Sequence, residues 1–186
     1  MRKLIFLAAL MMAVVAGSVS ADARSGSFES QFNVDVEVHF SPFGGATERI
    51  VAEINRATSE VLVQAYSFTS APIAKALVNA GKRGVEVEVV LDKSQVKEKY
   101  SSADFLVNSG IRTFIDSAHA IAHNKIMVID RKTIVTGSFN FTKAAEERNA
   151  ENLLVINGSD GLVQEYLKNY VFHRNHSVPY SGRGGR

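Results

Sequence analysis

Short apolar runs alternating with amphipathic stretches constrain this chain's fold more than any other feature. Val34, Val36, Val38 and Phe40 alternate with Asp35, Glu37 and His39. That period of two predicts a half-buried strand, closed by Ser41-Pro42 and Gly44-Gly45. Ile50, Val51 and Ile54 recur at helical spacing within 47–57, and 61–66 reads as a second strand. Ser70-Ala71-Pro72 starts a helix, with proline in its first turn and Gly84 after its end. Strands are predicted at 85–91, 111–115, 125–129, 133–136 and 152–156. Helical segments are predicted before Gly110, over 142–148 and over 162–172. The order is β-α-β-α-β-α-β and then strand-rich, so the expected fold is α/β, a mixed β-sheet flanked by helices on both faces. The sequence shows no internal repeat.

The N-terminus has the three parts of an export signal: Arg2 and Lys3, an apolar run over 4–16, and small residues leading to Ala21 or Ala23. The run is short of the about 20 residues a bilayer span needs, so a cleaved signal is expected over an uncleaved anchor. The expected organisation is a signal peptide over 1–21, an arm over 22–33, a single domain over 34–176 and a flexible tail over 177–186. The signal carries two of the 21 Lys+Arg and none of the 19 Asp+Glu, which leaves the mature chain formally neutral. Affinity for nucleic acid must then come from a local patch rather than from global charge. There are no cysteines, which excludes thiol catalysis, disulfides and cysteine-ligated zinc. A periplasmic or secreted location is expected.

The chemistry concentrates in His123-Asn124-Lys125, Asp130 and Gly137-Ser138-Phe139-Asn140. Residues two apart on a strand share a face, so His123 and Lys125 point one way, and Ser138 and Asn140 can do the same on the neighbouring strand. An imidazole, an ammonium, a hydroxyl and a carboxamide then converge without a pair of carboxylates to hold a metal. Such a site suits an anion. Asp130 has the opposite parity and precedes Arg131-Lys132, which marks it as a turn or salt-bridge residue with a structural role.

His123-x-Lys125, four residues, Asp130, six residues and Gly137-Ser138-x-Asn140 resemble the HKD signature of the phospholipase D superfamily. Residues 65–69, 82–85 and 137–145 look like the small single-motif bacterial endonucleases of that superfamily, and the likeness runs over roughly 34–172. The resemblance implies phosphodiester exchange through a phosphohistidine, with no cofactor and no metal. The physical reading agrees: a neutral imidazole is a competent nucleophile near neutral pH. Lys125, Ser138 and Asn140 can neutralise the phosphoryl oxygens. A leaving-group acid must stand on the far side of phosphorus, so a second histidine is needed, and this chain has one motif. By resemblance, two chains pair as a homodimer with His123 of each meeting across a two-fold axis. The resemblance also gives Glu151 the role of accepting a hydrogen bond from His123 Nδ1 and freeing Nε2; the alternative is a solvated strand-end acid.

Other residues remain open at this level. Tyr66, Phe68, Phe139 and Phe141 are either a stacking wall for bases or core, with core favoured. Lys82, Arg83, Lys93, Lys97 and Lys99 either line a backbone-binding groove or, with Glu86, Glu88, Asp92 and Glu98, form a solvated face. His39, His119, His173 and His176 read as surface or structural, without metal-ligand spacing to a partner. The leading expectation is an exported, metal-independent endonuclease acting on DNA with little sequence preference, with RNA left open as a substrate, and meeting the membrane only during export. The alternatives are a lipid phosphodiesterase or phosphatidyltransferase, and a non-catalytic nucleic-acid-binding module.

Overall fold

The computed structural model describes residues 34–183; the expected signal and arm lie outside this range, as does the end of the expected tail. The strands are β1 (Asp35–Ser41), β2 (Glu60–Ala65), β3 (Glu86–Asp92), β4 (Arg112–Asp116), β5 (Lys125–Ile129), β6 (Thr133–Gly137), β7 (Glu151–Asn157) and β8 (Val178–Pro179). The helices are α1 (Ala46–Arg56), α2 (Ala71–Lys82), α3 (Ala103–Asn108), α4 (Lys143–Glu147) and α5 (Asp160–His176). The strands form one sheet in the order β1-β7-β6-β5-β2-β3-β4-β8. β2, β3 and β4 run parallel and the remaining pairs are antiparallel, the mixed sheet expected from the sequence.

The apolar periodicity explains the layers. On one face, Ile50 and Ile54 of α1, Ile73 and Leu77 of α2 and Leu106 of α3 bury against Val63, Val89, Met127 and Val155. On the other, Val163 and Leu167 of α5 cover Val128 and Ile134, while Tyr170 packs on Val90 and Phe114. A single buried side chain of this size contributes about 1.5–3 kcal/mol, so these facing stripes hold the helices on the sheet. Polar contacts fix the C-terminal half of α5: Tyr170 Oη and Arg174 Nε both donate to Glu88 Oε1, at 2.8 and 2.9 Å. Pro72 lies in the first turn of α2, and Gly84 follows its end at φ 92°, as expected.

Two expectations change. β1 is an edge strand, and its alternating Val36, Val38 and Phe40 are exposed rather than half-buried, Phe40 to 65%. Among the described residues α5 packs against β4, β5 and β6, so no helix covers this face at the β1 edge. The expected tail is also ordered as far as it is described. Val178 and Pro179 pair with Ile115 and Phe114, Tyr180 N–H donates to Thr113 O at 2.9 Å, and Tyr180 Oη donates to Asp104 Oδ1 at 2.7 Å. A proline is tolerated there because β8 is the outer strand and needs no second partner.

Candidate active site

The topology brings three strand ends together. Ala65, at the end of β2, pairs with Lys125, at the start of antiparallel β5, and β6 ends at Gly137 on the other side of β5. His123 therefore sits just before β5, and Ser138 and Asn140 just after β6, at the edge where parallel β2 and β3 also terminate. That edge is where open α/β sheets place their ligands. Two backbone-directed bonds hold the approach to His123: Tyr66 N–H donates to Asn124 O at 2.8 Å, and Asp92 Oδ2 accepts from Ala122 N–H at 2.7 Å. Asp92, read from sequence as one acid of a solvated face, is buried at the end of β3 and positions this loop.

His123 and Lys125 meet directly. Lys125 Nζ donates to His123 O at 2.9 Å and lies 3.0 Å from His123 Nδ1. Lys125 is only 7% exposed, and its ammonium stands 5.2 Å from the centre of the Tyr66 ring, which also packs on the His123 imidazole at 4.5 Å between ring centres. Burial pushes the lysine pKa down from its ordinary value, and the negative charge of Glu151 opposes that shift. A buried cation whose counter-charge is a carboxylate on another strand is prepared for an anionic ligand.

Ser138 is held by its backbone. Its N–H and that of Phe139 both donate to Asn152 O, and its Oγ accepts from Asn152 N–H at 3.0 Å and Nδ2 at 3.3 Å. Those bonds use the oxygen's lone pairs and leave the hydroxyl proton free to donate. Gly137 makes the approach possible: at φ 142°, a Cβ there would lie 2.3 Å from Asn152 O. Asn140 follows, with its Oδ1 buried and unpartnered. A phosphate oxygen cannot satisfy that acceptor, so Asn140 would serve an anion through its Nδ2–H donors.

Glu151 does not make the bond expected of it. Its carboxylate accepts from Asn149 Nδ2 at 3.1 Å, and Lys125 occupies the side of His123 Nδ1. The reason is local: the buried ammonium needs acceptors and finds two on the residue that shares its face. A lysine only donates, so Nδ1 is the acceptor in this pair and the neutral ring carries its proton on Nε2. Glu151 is felt through its charge on Lys125 rather than through contact with the imidazole.

Asp130 lies at the opposite end of β5. It has φ 52°, and its carboxylate accepts from Thr58 and Ser59, backbone and hydroxyl alike, and from Glu60 N–H, all at 2.8–3.0 Å. It ties the β5–β6 turn to the start of β2, a structural role. Phe68, Phe139 and Phe141 are fully buried and belong to the core, leaving Tyr66 as the one member of the proposed aromatic wall at the site. The basic groove does not form as a unit: Arg83 donates to Ile54 O and Ala57 O at the far end of the sheet, whereas Lys93 lies on the site's side and donates to His119 O. Sequence reasoning missed Asn152 and Asn149, which hold Ser138 and Glu151. Their proximity in sequence to Glu151 was the available signal.

Comparison with known proteins agrees with this geometry. Residues 50–172 match the family model described as cardiolipin synthase, PLD-like domain. The protein "Phospholipase D" of Rickettsia felis is 44% identical over 136 residues, covering 73% of this chain and 68% of the relative. The crystal structure of Nuc from Salmonella typhimurium, a phospholipase D family member, superposes with a TM-score of 0.77 at 39% identity, covering 80% of this chain and 99% of that one. NucT from Helicobacter pylori shares the fold, with a TM-score of 0.74 at 22% identity over 80% of this chain. The single His-x-Lys pair at the strand edge, with Ser138 and Asn140 beside it, is thus set in a sheet and a sequence that match one family over most of the chain, and the chain belongs to the phospholipase D superfamily of phosphodiester hydrolases.

Proposed function

We propose that the chain is an exported endonuclease that cleaves DNA, without a metal at the phosphate, through a phosphohistidine on His123. The observation that carries this reading is a single His-x-Lys pair on one domain whose match to Nuc spans 99% of that chain. Residues 137–145, which build the phosphate side, resemble those of single-motif endonucleases. The signal over 1–21 supports a periplasmic or secreted location.

In the proposed reaction a substrate phosphate draws Lys125 Nζ away from His123 Nδ1. The ring then exchanges tautomer with solvent, losing the Nε2 proton and gaining one at Nδ1; Nδ1–H donates a hydrogen bond to Glu151, and the bare Nε2 becomes the nucleophile. Nε2 bonds to phosphorus as the bond from phosphorus to the leaving oxygen breaks, and the partner's His123, entering as the imidazolium, protonates that oxygen and becomes neutral. It next takes a proton from water, whose oxygen displaces the histidine and regenerates both rings. Lys125, Ser138 and Asn140 bind the equatorial oxygens. The pairing is supported by exposed Phe40 and Phe43 near this edge; Phe40 pairs across β1 and β7 with Asn152, the residue that holds Ser138.

The test is cleavage of plasmid and single-stranded DNA in excess EDTA, at a temperature where circular dichroism shows the EDTA-treated protein folded. Turnover is expected to persist. Its absence with folded protein, or equal turnover by His123→Ala, would refute the reading. A second reading, lipid phosphodiesterase or phosphatidyltransferase, draws on the name of the Rickettsia felis relative and the family description. Among the described residues no helix is long and apolar enough to cross a membrane. Headgroup release from phospholipid vesicles without nucleic-acid cleavage would establish the lipid reading instead.

A further inference from the structure

Three of the five histidines lie away from the phosphate site and converge on one carboxylate. Asp116, the last residue of β4, is fully buried. Its Oδ2 lies 2.7 Å from His173 Nδ1 and 3.1 Å from His176 Nε2, and both of its oxygens lie 3.2 Å from His119 Nδ1. One donor atom from each of the four residues falls within 4.8 Å of the others. The three imidazole rings stand 4.8–5.4 Å apart, and the Phe172 ring packs edge-on against all three. We propose that Asp116, His119, His173 and His176 form a site for a divalent transition-metal ion, zinc by its fit, which clamps the C-terminal end of α5 to the loop that carries His123.

Donor type and spacing carry this assignment. Zinc takes imidazole nitrogen and carboxylate oxygen at about 2.0–2.2 Å in a tetrahedron, which sets donor atoms roughly 3.3 Å apart. The three separations to Asp116 already lie at 2.7–3.2 Å. His119 and His176 are the partly exposed members, free to close the remaining gaps. Three imidazoles with one carboxylate favour zinc, nickel, cobalt or copper over calcium and magnesium, which prefer all-oxygen shells. Each half of the site is a pair three residues apart, Asp116-x-x-His119 in the strand exit and His173-x-x-His176 on one helix face, a spacing that lets two donors of one segment reach one ion. The outer shell is in place as well. Asn124 Nδ2 lies 3.5 Å from His173 Nε2, and a turn of that amide offers its oxygen to the Nε2 proton. Asn124 adjoins His123, so the clamp braces the nucleophile's loop from behind without meeting the phosphate. The proposal does not depend on which phosphodiester is the substrate.

The test uses the protein without a polyhistidine tag, stripped with EDTA and dialysed. Titration with zinc by competition against a chromophoric chelator is expected to give one ion per chain and to raise the thermal midpoint. Cobalt in its place is expected to show the intense visible bands of a tetrahedral site. His119→Ala/His176→Ala, which spares the buried Asp116 and His173, is expected to weaken zinc by at least about a hundredfold, while His39→Ala binds as wild type. If the double variant does not fold, His176→Gln alone is expected to weaken binding by at least about tenfold. Absence of zinc binding by folded wild-type protein would overturn the proposal, and so would equal binding by wild type and either cluster variant. Because the readouts are metal content and midpoint, a failed nuclease assay leaves this result unaffected.

Discussion

His123→Ala is expected to lower phosphodiester hydrolysis by about 10³-fold or more while leaving the fold intact. The side chain sits at a loop end against the Tyr66 ring and beside Lys125, outside all three hydrophobic clusters. Its removal therefore takes away the group that bonds to phosphorus and little of the packing. No neighbour can replace it: Tyr66 presents its ring, and Lys125 is the charge that must hold the phosphate. Steady-state rates and thermal midpoints measured on the same preparation check both halves. A variant that keeps a tenth of the wild-type rate would refute the nucleophile assignment, and a collapsed midpoint would show that His123 is structural.

Asp130→Ala is expected to act in the opposite way, destabilising the protein by roughly 3 kcal/mol with little change in the turnover of the folded fraction. Five hydrogen bonds from the segment entering β2 end on this one carboxylate, and the residue holds a positive φ at the β5–β6 turn. Burial alone would raise its pKa, but the bonds from Ser59, Thr58 and Glu60 outweigh it and hold the carboxyl well below the ordinary range. A depressed folded-state value means that the stabilisation is complete above the unfolded value of about 3.9 and is lost as the pH falls through the folded one. Urea unfolding of wild type and Asp130→Asn between pH 3 and 7 should show a shallower acid decline in the variant. Asp116, whose burial alone would raise its pKa but whose bonds to His173, His176 and His119 outweigh it and depress it, keeps part of that decline in both. Equal pH dependence would remove Asp130 from this role.

Strand positions, helix starts and the separation of Asp130 from the phosphate were legible because each depends on local periodicity or parity. β5 and β6 appear within a residue of their predicted limits, since a strand buried between two neighbours reads as an unbroken apolar run. The face of β1 was not legible: alternation reveals two faces but not whether a helix reaches across one of them. The order of β8 depends on a vacant edge of β4, a tertiary fact. The bond from His123 to Glu151 is not formed in this structure because the buried ammonium of Lys125 takes the same side of the imidazole. The histidine cluster escaped notice because Asp116 and His173 are far apart in sequence and are joined only when α5 lies over β4.

The most direct test of the central claim, that each chain holds half of a shared site, is activity in mixed oligomers. Wild-type and His123→Ala chains are unfolded together, refolded at varied ratios and assayed per total chain. If catalysis needs one His123 from each of two chains, activity falls as the square of the wild-type fraction; a linear fall would mean that one chain carries out the whole reaction and would contradict the account.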